Sequence, residues 1–327
     1  MNILPENMIN NKNEYLRMEF AERNINIDFL RGFVMLLLPL FHSSTGIVHT
    51  MIGVYQMPLL MGISGYLVGG QTSTININWI KKRFLRLMIP FFFWSIVYWT
   101  PIFYKQNSFD LDAVTSTVYW FFLVLFILSI LIYGIIKFEK CLKQFYLNKY
   151  CIVFIMLFID LLVKIIALII NVHVISLCAW HITFYFGGYL LRRKELSCIR
   201  IKAIVNDTVV IIGCIITMIF LECFSSISIM LNLRIKILFD YGITICVISI
   251  IVVITKHLSI RFKRLFMPLS RFSTYIYIVH FFLLRQWCNE HWLNVIFCSL
   301  GGVIIPLGVA YLVNKNNLKW IKKVFGE

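Results

Sequence analysis

The chain has 327 residues, 60% of them hydrophobic and 14% charged, with a mean hydropathy of +0.83; soluble domains run at about 45–50% apolar and about 25% charged. That balance excludes a soluble globular protein and points to one polytopic membrane domain assembled from apolar stretches of about 20 residues. The net charge of +16 would suggest nucleic acid in a soluble chain, but here it must first be tested as a matter of which side of a bilayer the basic residues take.

Residues 1–24 are polar and lack the short apolar core and small-residue cleavage site of a signal peptide. The first membrane helix is therefore expected to direct insertion itself. From there ten spans are expected, at about 28–49, 51–70, 84–104, 114–136, 150–170, 172–191, 203–222, 237–255, 265–285 and 291–313. Joints at Met51 to Gly53 and at Asn171 would make helices 1 and 2, and helices 5 and 6, tight hairpins. The expected organisation is a polar segment (1–24), an all-α transmembrane domain of about ten helices (25–314) and a basic tail (315–327). No internal repeat or low-complexity tract is visible.

An even number of spans puts alternate loops on one side. On the side of the termini fall 24 Lys and Arg, while the other side holds only Lys105, Arg234, Lys236 and Arg285; Arg31, Lys164 and Arg271 lie within spans. By the positive-inside rule both termini are expected to be cytoplasmic. Most of the charge is thus topological, and nucleic acid is not needed as a partner. The same basic surface favours anionic membrane lipids or a phosphate-bearing substrate. Nine cysteines show no CxxC pair and no cysteine-to-histidine ligand spacing, so neither a metal site nor a disulfide framework is implied.

Ionisable side chains at membrane depth cost roughly 2.5 kcal/mol or more, so each must face the bundle interior and find a partner. In the first span Arg31 and His42 are eleven residues apart, which returns them to nearly the same face about 16 Å apart along the axis. Asp28, three before Arg31, can pair with it. The alternative is that Arg31 snorkels to the interface and His42 merely bonds a neighbouring helix. Arg83 and Arg86 share a face at the start of the third span, where two guanidinium forks can clamp phosphate oxygens; a simple stop-transfer charge cluster is the alternative. Asp160 and Lys164 are spaced to neutralise each other along one helix face, a structural pairing. His49, His173, His181 and His280 read individually as satisfied bundle residues, and Arg271 shares a span with His280.

Taken in order, Asp28-x2-Arg31-Gly32 with His42, the Ser64-Gly65-Tyr66 run, Arg83-x2-Arg86, and Ser270 to His280 (SRFSTYIYIVH) resemble the integral-membrane acyltransferase 3 family, especially its fucose 4-O-acetylase-like branch. Two departures stand out: Leu59-Leu60-Met61-Gly62-Ile63 replaces the usual aromatic run before Ser-Gly-Tyr, and Pro39 precedes His42 by three residues. The resemblance implies transfer of an acyl group, usually acetyl from acetyl-CoA, to a sugar hydroxyl of a cell-surface polysaccharide or lipid-linked glycan, in a bacterial inner or plasma membrane. It implies His42 and Asp28 as the catalytic residues, Arg31, Arg83 and Arg86 as donor-binding, Ser64, Tyr66 and His280 as substrate-contacting or site-shaping, and no metal. Polysaccharide-synthesis machinery is the implied partner. The rival readings are a glycan or lipid-linked sugar transporter or flippase, an assembly subunit of a synthase complex, and an enzyme using another donor such as succinyl-CoA.

Overall fold

A computed structural model of the protein describes residues 24–72, 74–106, 118–142, 150–170, 172–193, 207–230, 236–284, 287 and 290–327. Among these every regular element is helical: α1 (Ile25–Ser43), α2 (Gly46–Gly69), α3 (Ile77–Gln106), α4 (Trp120–Leu142), α5 (Tyr150–Ile170), α6 (His173–Arg193), α7 (Asp207–Met230), α8 (Lys236–His257), α9 (Ile260–Leu265), α10 (Met267–Arg271), α11 (Ser273–Leu283), α12 (His291–Lys315) and α13 (Lys319–Val324). Seven of the described helices are long and apolar enough to cross a membrane: α1, α2, α4, α5, α6, α8 and α12, in whole or in large part. The 30-residue α3 carries the basic run from Lys81 to Arg86 near its start and is not among the seven. The apolar part of α7, Val209–Cys223, and all of α11 are shorter.

Local chemistry moves several boundaries from their expected places. The first joint lies at Ser44 and Thr45, not at Met51 to Gly53. Ser43 and Ser44 turn their hydroxyls back onto the carbonyls of Leu40 and Phe41, and Gly46 adopts φ +65°, which glycine reaches without steric cost. Gly53 instead lies inside α2 against the Phe41 ring. The span expected at 265–285 is broken into α9, α10 and α11 at Phe266 and Phe272. Pro268 has no N–H for the carbonyl four residues back, so a continuous helix through it would leave a gap in the ladder. The Asn171 joint and the segment 1–23 lie outside the described residues.

The most extensive helix pairing is α2 with α6. A Cβ at Gly65 would overlap the Tyr185 carbonyl, and one at Gly188 would overlap the backbone of Gly62. Lipid tails are as apolar as leucine, so helices in a bilayer associate through close packing of small residues rather than through the hydrophobic effect. This accounts for Gly62: the α2 backbone needs that face clear for α6. Leu59, Leu60, Met61 and Ile63 around it are buried.

Candidate active site

The site grows from how α1 is docked. Asn24 caps it, its side-chain oxygen accepting from the backbone N–H groups of Asn26 and Ile27 at 3.1 and 3.4 Å, as N-cap residues do. Asp28 Oδ1 accepts a hydrogen bond from the Ser270 hydroxyl at 2.9 Å. One turn on, a Cβ at Gly32 would run into the Phe266 carbonyl, so glycine there lets the α9–α10 junction lie directly on α1. Pro39, buried inside an unbroken α1, packs on Gly302 of α12. Last in line, the His42 ring stands 5.3 Å from that of His280 and 4.9 Å from Phe281, centroid to centroid. The helix-1 motif and the Ser270 to His280 segment, far apart in sequence, are therefore two edges of one seam.

His280 is fully buried. Its Nδ1 lies 2.8 Å from the Ile276 carbonyl oxygen. A carbonyl only accepts, so Nδ1 donates, and in the neutral ring Nε2 then carries the lone pair. That nitrogen is buried without a hydrogen-bond partner among the described residues. His42, at the end of α1, keeps an exposed face.

At the opposite end of α1 a cavity of about 350 Å³ lies between α1, α2, α3, α4 and α11, within the size range of small-molecule sites. Arg31, Lys82, Arg83 and Arg86 all line it, and among the described residues that line it none is Asp or Glu. The Arg83 guanidinium sits 4.9 Å from the centre of the Trp79 ring, and Trp79 Nε1 donates to Gln71 Oε1 at 3.3 Å; both residues also line the cavity. Apolar walls come from Phe121, Phe122 and Leu125 of α4. Lys82 and Arg86 are exposed and Arg31 and Arg83 half-buried, so the clustered charges raise a positive potential at the cavity mouth.

Of the residues singled out in the sequence, Arg31, Ser64, Arg83 and Arg86 meet in this cavity. Ser64 donates its hydroxyl to the Leu60 carbonyl at 2.9 Å. Tyr66 is placed elsewhere: its hydroxyl accepts from Arg192 Nη1 at 3.1 Å, with that guanidinium over its ring. Asp28 and His42 are not brought together. Fourteen residues along one helix separate them by about 21 Å, and Asp28 serves the Ser270 contact. The Asp160–Lys164 pair forms as the spacing implied, at 2.6 Å, with Thr183 of α6 bonded to both partners.

Sequence reasoning missed Lys82, Trp79, Gln71 and Tyr277 as cavity residues. Lys82 was tallied only as a loop charge, and Tyr277 stood unremarked inside SRFSTYIYIVH. Arg193 was likewise counted as topological, but it makes a two-pronged ion pair with Glu139 at 2.7 and 2.8 Å and donates to the Tyr189 hydroxyl at 2.8 Å. Nothing in the spacing of residues 139 and 193 signals that pairing. Among the described residues no group of three or more His, Cys, Asp or Glu side chains is arranged to hold a metal ion.

A family model described as an acyltransferase domain matches residues 24–313. The nodulation protein NolL of Mesorhizobium japonicum is 28% identical over 139 residues, 36% of this chain and 37% of that relative. The match thus spans little more than a third of the relative's length. No solved structure gives a significant match.

Proposed function

The chain belongs to the family of that acyltransferase domain, and on this premise we propose that it carries an acetyl group from acetyl-CoA to a sugar hydroxyl of a cell-surface polysaccharide or lipid-linked glycan. It is a multi-pass membrane acyltransferase; the donor, the acceptor and the roles of individual residues are our reading. The observation that carries it is the cavity where Arg31, Lys82, Arg83 and Arg86 converge, with Arg31 on the same helix as His42. The nucleotide end of CoA is polyanionic, and arginine holds phosphate oxygens in paired hydrogen bonds.

From Arg31 to His42 the axial rise is about 16 Å, comparable to an extended pantetheine arm. The thioester would then reach the His42 end, where the acceptor hydroxyl arrives. In our reading His42 takes the hydroxyl proton as the oxygen attacks the thioester carbonyl. The C–O bond forms, the C–S bond breaks, and the departing sulfur takes the proton from the imidazolium. Such general-base assistance is worth roughly 10² to 10⁴ in rate. His280, its ring tilted against that of His42, fixes the ring and the local polarity. Asp28, through Ser270, anchors the base of α1 and so holds the stripe in register. Ser64 shapes the α2 side of the cavity, while Tyr66 is held against Arg192.

We further place both termini in the cytoplasm of a bacterial inner or plasma membrane, with the ten helical segments α1–α8, the α9–α11 unit and α12 as spans, so that donor enters from inside and acceptor from outside. The segment 1–24 and the tail after residue 314 then flank one transmembrane domain. The membrane's own anionic lipids and a polysaccharide-synthesis machinery are the partners that fit this placement. The deciding experiment compares the mass of cell-envelope glycans with and without the gene. Loss of one acetyl mass per repeat unit supports the reading, and an unchanged glycan profile together with no CoA binding by the purified protein defeats it.

A further inference from the structure

Beyond α12, outside the span matched by the family model, residues 319–326 fold back onto α3 and α11. Contacts at Val324, Phe325 and Gly326 in turn hold their end in place. Trp94 Nε1 donates to the Val324 carbonyl at 2.7 Å. The Phe325 ring stacks on Tyr275 at 4.0 Å between centroids and 14° between planes, and it also lies 5.1 Å from Trp94. Val324 and Phe325 are consequently buried. The third contact brings Gly326 against α3 and into the wall of the cationic cavity.

The local chemistry at Gly326 is specific. Pro90 lies four residues after Arg86 and has no N–H to offer the Arg86 carbonyl. Gly326 covers that carbonyl: a Cβ there would stand 2.5 Å from Arg86 O and 3.2 Å from Pro90 Cγ. Gly326 also adopts φ +79°, a conformation that glycine reaches readily and L side chains rarely. Both its backbone angle and its lack of a side chain are thus required for the approach.

We propose that Phe325 and Gly326 are positioning residues that close one wall of the cavity and hold the Arg86 turn of α3 in place for an anionic donor. The proposal rests on reading this cavity as the donor site. Phe325 supplies the anchor, through Tyr275, and Gly326 the close fit. Arg86 makes the contact with the donor; the other two act only through it.

Phe325→Ala and Gly326→Val test this in purified, detergent-solubilised protein and in vesicles, with Phe325→Tyr as the conservative variant that keeps the stack. The expected result is a KM for acetyl-CoA raised about tenfold, with kcat and the acceptor KM unchanged and Phe325→Tyr near wild type. An unchanged donor KM in both variants overturns the proposal, as does a uniform loss of activity that follows loss of thermal stability. A second readout does not depend on the donor. Ser64→Cys in the cavity is labelled with a sulfonate-bearing thiol reagent, in otherwise wild-type protein and combined with each tail variant, against the labelling of the parent without Ser64→Cys. Labelling several times faster in the tail variants supports a closing wall, and an unchanged rate overturns it. If the wild type binds no CoA, the donor reading fails while this labelling still decides the wall.

Discussion

Gly302 sits where α12 meets both Pro39 and His280, and adding one methyl group there perturbs the histidine pair without touching either imidazole. A Cβ at that position would lie 2.5 Å from Pro39 Cβ, 2.8 Å from Pro39 Cγ and 3.4 Å from His280 Cβ. Carbon atoms rest at about 3.5–4.0 Å, so Gly302→Ala must open the seam by roughly 3.5 − 2.5, or about 1 Å. The Pro39 ring is rigid and buried and cannot swing aside as a flexible side chain would. The displacement therefore falls on the helices that carry His42 and His280. Overpacking of this kind costs about 1–3 kcal/mol, and a misplacement of about 1 Å at a reacting group costs about 10² in rate. The expected outcome for Gly302→Ala is a kcat about 100-fold lower with CoA affinity unchanged, since the Arg31 end of the site is not involved. Transfer of labelled acetyl in membrane vesicles, run beside CoA titration of the purified variant, measures both. A wild-type kcat in an inserted variant would refute the reasoning, and so would a loss of CoA binding equal to the loss of rate.

Three further outcomes are expected. His42→Ala should leave the protein inserted and lower transfer by roughly 10² to 10⁴, with His42→Gln no better because an amide cannot take the proton; near-normal O-acylation in either variant would shift the base to His280. Arg83→Lys and Arg86→Lys keep the charge but lose the planar fork, so at least one should weaken CoA binding nearly as much as alanine does, at about 1.5–3 kcal/mol per charge-assisted bond; unchanged affinity in both would reduce these residues to topological anchors. Reporters fused after Lys140, Lys194 and Arg264 should read cytoplasmic and those after Asn107 and Ser226 external, and any reversal within that set would remove the basis for a cytoplasmic donor.

What could be read from the sequence was whatever depends on one helix at a time. The Asp160–Lys164 pair follows from its four-residue spacing and forms, while 3.6 residues per turn gives the common stripe of Arg31 and His42 as an expectation. The cavity cations Arg31, Arg83 and Arg86 could be named because charges near membrane depth are conspicuous. What stayed hidden depends on remote pairings that leave no local trace, such as Pro39 on Gly302, Phe325 on Tyr275 and Glu139 on Arg193. Apolar windows also concealed turns. The Ser43 to Gly46 turn lies inside a hydropathic stretch, and Pro268 interrupts one that hydropathy alone counts as a single span.

That interruption bears on the order in which the protein can be made. An isolated helix of 11 residues such as α11 is about 16 Å long, half of the roughly 30 Å hydrocarbon layer, so no insertion machinery can treat it as a self-sufficient span. The backbone groups at its broken end need protein around them rather than lipid. Synthesis delivers α1 first and α12 after α11, and α11 packs on both. α12, which meets both Pro39 and His280, is therefore the last element to close over the histidine pair. A chain lacking α12 would keep the cavity arginines but lose the face that packs on Pro39 and His280; chains ending at residue 290 and released from the ribosome should accordingly leave His280 more open to aqueous histidine-modifying reagents than the full chain does.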